Sequence, residues 1–472
     1  MITEPTPWML LPFVMLLALM ALAPLFFSAL WARYYIHITL GLAGVTILYY
    51  LVGLHATGRI LATGGDYLRF ITLIGSLYIV AGGIHCDVKG EATPSRNVLF
   101  LLTGAMVSNV LGTTGASMLF IRPWLRMNKY RVTAHHVVFF IFIVSNVGGA
   151  LTPVGDPPLY LGFLKGVPFW WVLQRCWEVW ATAVGILLLL FYAIDRRNYL
   201  RAPRRVREEL AEPPDTFKIS GLPNLLLLGV IFGSTFVENP PFLREFLMVA
   251  AAVLSWRLTP RRVHEANEFS LHPVKEVAIL FVGIFGTMMP AMDWLQTDAA
   301  TLGAPTPGLF YFSSGLLSSL LDNAPTYLTF LSALFGSVVP QSSIDQLLAW
   351  LHQNSTLAAA GAVPPPELAG AVQFLRTHFA QAVGSGTTTH DMLRVSWILS
   401  DPGLSRFIMA ISAGSVFFGA NTYIGNGPNL MVKAIADQQR VHTPSFLGYV
   451  VRFTLPCMAP MLLIIWWLFF RS

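Results

Sequence analysis

Apolar residues run in long blocks along most of the chain, at about 8–32, 34–54, 68–86, 97–121, 132–165, 168–194, 221–238, 242–258, 274–290, 306–337, 403–438 and 446–470. A helix needs roughly 20 apolar residues to cross the hydrocarbon core of a bilayer. Only helices and closed barrels satisfy their own backbone in lipid. The blocks therefore predict an all-α polytopic membrane protein. One stretch departs from the pattern. Residues 338–395 are polar and include Pro364, Pro365 and Pro366, so they read as an insertion outside the membrane. The last block carries Trp466 and Trp467 near one end, where aromatic side chains commonly meet the membrane interface.

Four blocks are interrupted by residues that break helices. These are SNVLGTTG (108–115) inside 97–121, GGALTPVGDPP (148–158) inside 132–165, LLDNAPTYLT (320–329) inside 306–337, and GANTYIGNGP (419–428) inside 403–438. Broken backbone is tolerated at membrane depth only where protein or a wet cavity surrounds it. Two of the interruptions repeat one another. Gly149, Ala150, Thr152, Gly155 and Pro158 match Gly419, Ala420, Thr422, Gly425 and Pro428 at one offset of 270 residues, with Asp156 facing Asn426. A weaker correspondence sets Ser108-Asn109 against Asp322-Asn323.

The repeat predicts an organisation. If 97–121 and 306–337 are re-entrant hairpins, the other ten blocks cross the membrane. Residues 1–194 then form one repeat: three spans, a hairpin, the broken helix 132–165 and a final span. Residues 195–220 form a basic linker. Residues 221–472 form the second repeat, with hairpin 306–337, external insertion 338–395, broken helix 403–438 and final span 446–470. Five crossings per half make the repeats inverted, and broken helices meeting at the midplane of inverted repeats are a recurrent transporter plan. With both termini outside, the inner loops hold 21 of the 30 Lys and Arg residues, six of them in 195–207. That agrees with the positive-inside rule and places the protein in a cell (inner) membrane.

Composition narrows the class. Charged residues make up 11% of the chain, against about 25% in soluble domains, so lipid is its main surrounding partner. The net charge of +6 is explained by topology and does not imply nucleic acid. Cys86, Cys176 and Cys457 stand far apart and support neither a disulfide framework nor a zinc site. The opening MITEPTPW lacks a basic n-region, so the first apolar block reads as a span. No P-loop pattern is present, and no nucleophile–base arrangement stands out, which argues against direct ATP coupling and against an enzyme.

Two hairpins with polar tips and two Gly/Thr/Pro-rich broken helices resemble the ion transporter superfamily. SNVGGALTPVGDPP (145–158) and LDNAP (321–325) resemble most the NhaD-type sodium/proton antiporters and the citrate-transporter-like branches related to divalent anion:sodium symporters. The resemblance implies secondary transport and a homodimer. In the dicarboxylate branch the tips read Ser-Asn-Thr; here they read Ser108-Asn109-Val110 and Asp322-Asn323-Ala324.

The residues support a coupling-ion site on their own terms. A sodium ion needs several oxygen ligands, which unwound backbone and polar side chains supply. The available set is Ser108, Asn109, Thr152, Asp156, Asp322, Asn323, Asn421, Thr422 and Asn426, with Asp156, Asp322, Asn109 and Asn323 the candidate sodium ligands. A carboxylate near the bilayer centre costs at least about 2.5–3.5 kcal/mol on insertion scales. Binding a sodium ion or a proton offsets that cost, and exchanging one for the other is antiport. Simpler roles compete: Asp156 and Asp322 could cap the helices that follow them, Asn109 and Asn323 could only close hairpin tips, and His135 and His136 read as interfacial. Cation/proton antiport is the first reading. Sodium- or proton-coupled symport of citrate or another carboxylate is the second, and the four broken motifs contain no Arg or Lys to hold such an anion.

Overall fold

The computed structural model describes residues 5–89, 93–201, 216–237, 240–298, 305–353 and 363–471. Three helices open the chain: α1 (Leu11–Phe26), α2 (Ser28–Leu48, prolonged by a π-helical turn to Gly53) and α3 (Thr57–Gly82). A short strand β1 (His85–Lys89) follows. The helical segment α4 (Pro94–Met127) begins at a Thr93 cap with Pro94 in its first turn. Then come α5 (Ala134–Ile143), α6 (Pro157–Leu164) and α7 (Phe169–Arg201). Strand β2 (Thr216–Ser220) pairs antiparallel with β1, His85 opposite Ser220.

The second half runs through α8 (Pro223–Ser234), α9 (Leu243–Leu258), the short α10 (Arg261–Ala266) and α11 (His272–Asp298). Next are α12 (Pro307–Ser318) and α13 (Asn323–Val338). Residues 341–400 hold α14 (Gln341–Gln353), α15 (Pro366–His378), α16 (Ala380–Ser385) and α17 (His390–Ser400). The chain ends with α18 (Pro402–Phe418), α19 (Gly427–Gln438) and α20 (Phe446–Phe470). Among the described residues, six helices are long and apolar enough to cross a membrane. The protein is a multi-pass membrane protein.

One of those six, α4, folds back on itself. Its residues Asn97 and Asn128 exchange hydrogen bonds of 2.9 and 3.1 Å, although 31 residues of straight helix would set them about 46 Å apart. The ring of Phe100 stacks on Trp124 with centroids 5.5 Å apart. The reversal falls at Gly112, whose φ of 75° and ψ of 154° are open to glycine and strained for other residues. Helices α12 and α13 form a second hairpin, closed by 319–322 and with Phe310 against Phe330. It too begins at a Thr-Pro cap, Thr306 accepting from the Leu309 amide, so both hairpins start with the same N-terminal chemistry. The bases of the two hairpins lie at opposite ends of α11. Arg122 of the first pairs with Glu268 just before α11 starts, while Gly336 of the second packs on the Leu295 and Gln296 carbonyls near its end.

Both blocks 132–165 and 403–438 are broken, as their Gly and Pro residues predict. A single 3₁₀ turn (Val147–Gly149 and Gly419–Asn421) and irregular backbone separate α5 from α6 and α18 from α19. Buried apolar side chains form two bodies. One gathers the first hairpin, α5, α7, the second hairpin, the insertion helices, α18 and α20. The other gathers α1, α3, α8, α9 and α11 with residues of the hairpin tips and α6.

The described chain is mostly helical, consistent with the all-α class, with one short addition: β1 and β2 join the segment after α3 to the segment before α8. Two expectations change. Residues 195–201 of the expected basic linker are the last turns of α7; residues 202–215 of it, with Arg204, Arg205 and Arg207, lie outside the described residues. The insertion is not a featureless polar stretch. Ile344, Leu347 and Leu351 of α14, and Leu368, Ala371, Val372 and Leu375 of α15, are buried at helical spacing and join the core. Residues 354–362 of it, like Glu238, lie outside the described residues.

Candidate functional site

Asp156 stands where the first broken helix resumes, one residue before α6, and is 1% exposed. Pro157 starts that helix, and Asp156 sits at its N-cap position without a side-chain capping bond. Its oxygens are used elsewhere. Oδ1 accepts from the Thr113 hydroxyl at 2.7 Å, and Oδ2 accepts from the Asn323 amide at 2.5 Å. Thr113 is the residue after the Gly112 reversal and Asn323 opens α13. One carboxylate thus receives a donor from the tip of each hairpin. The Thr113 amide also donates to the Gly155 carbonyl at 2.8 Å, fixing the first tip to the loop that carries Asp156.

Asp322 does cap its helix, accepting from the Ala324 amide at 3.1 Å. It is also close enough to Asp156 to interact electrostatically, as is Asn426. A cavity reaches this point, lined by Asp322, Asn426, Gly427, Pro428, Thr114 and Pro157 together with apolar residues of α3 and α11. Among the described residues, Asp322 is its one charged lining residue. The N-termini of α6 and α19 both open on it, through Pro157 and Gly427. Asn323 contributes a further polar atom. Its Oδ1 is buried and has no hydrogen-bond partner, while the amide of the same side chain is spent on Asp156.

Other predicted site residues are committed to holding the loops. Asn109 accepts from the Leu151 amide at 2.9 Å and donates to the Ala105 and Gly148 carbonyls. Ser108 bonds the carbonyls of Gly104 and Val144. Thr152 donates to the Asn109 carbonyl at 2.5 Å and accepts from the Gly155 amide. The same motif recurs in the second half, where Thr422 donates to the Ser319 carbonyl at 2.6 Å and accepts from the Gly425 amide. This corrects the register of the hairpins. Asn109 corresponds to Ser319, not to Asn323, and Asn323 corresponds to Thr113. Asn421 donates to the Ser319 hydroxyl, and its Oδ1 is buried without a partner. Asn426 donates to the Ser145 carbonyl and to Asn146 Oδ1 at 3.1 Å.

Three contributors escaped the sequence reading. Thr113 sits in the quoted SNVLGTTG motif but is one threonine among two. Asn146 and Asn429 are joined by a 2.7 Å hydrogen bond, and Asn429 also donates to the Gly419 and Thr422 carbonyls. They tie one break to the other; neither belongs to the 270-residue matches, so the repeat does not point to them.

His135 and His136 are both buried beside Asp195 near the end of α7. Asp195 is held by Arg131 in a bidentate ion pair and accepts from Asn97 at 3.0 Å. The cluster locks the base of the first hairpin to α5 and α7.

Two polar-tipped hairpins meeting a buried carboxylate between broken helices, within a multi-pass bundle, are the features of a membrane carrier. The family model described as putative citrate transport matches residues 3–470, nearly the whole chain, and the protein belongs to that family. The citrate-transporter-like resemblance read from the motifs is therefore correct, and the protein is a membrane transport protein. No curated protein matches the chain.

Proposed function

We propose that this transporter is a secondary active carrier that exchanges sodium, or a similar monovalent cation, for protons, with Asp156 as the exchanging carboxylate. The observation that carries the reading is the setting of Asp156. It is fully enclosed, it accepts from neutral donors on both hairpins, and among the described residues no Lys or Arg is bonded to it. A buried acid of this kind needs a cation or a proton to offset its charge. The two compete for one site, so loading a cation from one side and a proton from the other couples their movements. Asn323, which donates to Asp156 from 167 residues away in the chain, and its neighbour Asp322 belong to the second hairpin, so a rearrangement of either hairpin disturbs the shared site. Ten crossings in two inverted repeats would let those rearrangements alternate between the two faces. The orphaned Oδ1 of Asn323 is a ready ligand for the cation.

A second reading has its own support. The family description names citrate, and two helix N-termini open on the cavity, an arrangement that favours anions. Citrate would then enter with cations that neutralise Asp156 and Asp322, as a symporter. Everted vesicles carrying a pH-sensitive dye separate the readings. Antiport predicts dequenching when sodium or lithium is added with no organic anion, stronger at alkaline pH because fewer protons then compete for the carboxylate. No response to either ion, together with uptake of labelled citrate driven by a sodium or proton gradient, replaces antiport with symport.

A further inference from the structure

Helix α6 has Asp156 at one end and Lys165 at the other. Its eight residues make a rod of about 12 Å. Lys165 has a side chain only 12% exposed, and it bridges two acids: Asp66 of α3 at 2.8 Å and Asp391 of α17 at 3.3 Å. Asp391 belongs to the insertion. Contacts continue from there to three further elements of the second half. Arg394, 3.8 Å from Asp391, donates to Gln296 at the end of α11 at 2.7 Å, reaches Gln341 at the start of α14, and lies over the ring of Phe335 on α13.

The chain just beyond Lys165 is pressed against the same helix of the insertion. Gly166 has a φ of +102°, and a Cβ there would meet the Met392 Cα at 3.2 Å. Midway along α6, Gly162 lies so close to Tyr327 of α13 that a Cβ would come within 2.4 Å of its hydroxyl. Helix α6 is therefore pinned along one side to the helix that begins with Asn323, the partner of Asp156, and pinned at its far end by Lys165. A charged amine in so dry a position is costly unless both its partners stay in place, and one of those partners is supplied by the insertion.

We propose that Lys165 is a positioning residue: by joining Asp66 to Asp391 it fixes the far end of α6, so that the insertion 338–395 acts as a latch holding Asp156 against Thr113 and Asn323. The inference rests on the reading of Asp156 as the exchanging carboxylate, and it gives the insertion a role in access to that site. Releasing the latch lets α6 tilt about its contact with Tyr327 and opens the cavity that Thr114 lines.

The test is the rate at which an impermeant maleimide labels Thr114→Cys in the full-length protein in proteoliposomes. The native cysteines are all buried. Asp391→Asn should raise that rate about fivefold, within the usual range of coupling between sites, and should raise the sodium KM more than it lowers the maximal flux. Lys165→Arg, which keeps the bridge, should label at the parental rate. Should Asp391→Asn fail to accumulate, Arg394→Gln loosens the same insertion without touching Lys165 and should raise labelling likewise. Labelling by either variant at the parental rate overturns the latch. Protection of the introduced cysteine by sodium is measured in the same samples: labelling that responds to the Asp391 change but not to sodium upholds the latch and removes the cation site.

Discussion

At Asp156, two neutral donors hold a carboxylate that has no basic partner among the described residues, and that balance decides what each neighbour contributes. A hydrogen bond to a charged group is worth about 1.5–3 kcal/mol. Thr113→Val removes one such bond with little change of volume. Sodium-dependent proton flux should fall roughly tenfold by that measure, with normal amounts of protein in the membrane; wild-type flux would show that the hydroxyl only packs the hairpin tip. Asn109 should behave differently. Each polar atom of its side chain already bonds the loop 148–151, so Asn109→Ala should lower the unfolding temperature in detergent and leave the sodium KM of the surviving protein unchanged. A shifted KM would restore Asn109 to the ion site. Asp156, Asn109 and Asn323 stand out in the sequence as candidates because acids and amides are rare in apolar blocks. Sequence alone could not tell which were saturated by backbone, since Asn109 and Asn323 look alike until their partners are known. Thr113 stayed hidden because a threonine inside a membrane helix is common and usually bonds its own helix.

The broken helices were legible as elements because Gly and Pro interrupt long apolar runs at one repeated spacing. Reversal of α4 was legible only as an expectation from Ser108-Asn109, whereas the chain turns at Gly112, four and three residues later. There the positive φ is the physical requirement. Gly112→Ala forces a Cβ into a positive-φ, extended conformation at a cost of about 1–3 kcal/mol and toward the Val154 carbonyl. It should lower thermal stability and depress flux together. Unchanged stability would show that the tip relaxes freely. Strands β1 (HCDVK) and β2 (TFKIS) both alternate polar and apolar residues, but each is only five residues long and their pairing spans most of the first half, so neither stood out among the long apolar blocks. The insertion helices were misread as polar because their apolar residues form narrow stripes in otherwise hydrophilic sequence. His135 and His136 looked interfacial because Asp195, the group that explains their burial, lies some 60 residues onward on α7.

For the whole molecule, the two hairpins reach one carboxylate from opposite ends of α11, so their bases should face opposite sides of the membrane. Single cysteines at Leu200 and Gln373, both exposed, report on this in intact cells. An impermeant thiol reagent should label Gln373→Cys and spare Leu200→Cys, as the cluster of basic residues at the end of α7 predicts. The reverse pattern would invert the topology, and equal labelling would dissolve the inverted repeats. The central claim concerns Asp156, whose repeat mate Asn426 is already neutral. The direct measurement is sodium-driven proton movement by purified Asp156→Asn protein in proteoliposomes, beside wild type at matched protein density. The variant should insert normally and show no sodium-dependent flux at any pH at which the wild type is active. Flux at the wild-type rate and with the wild-type pH profile would contradict it.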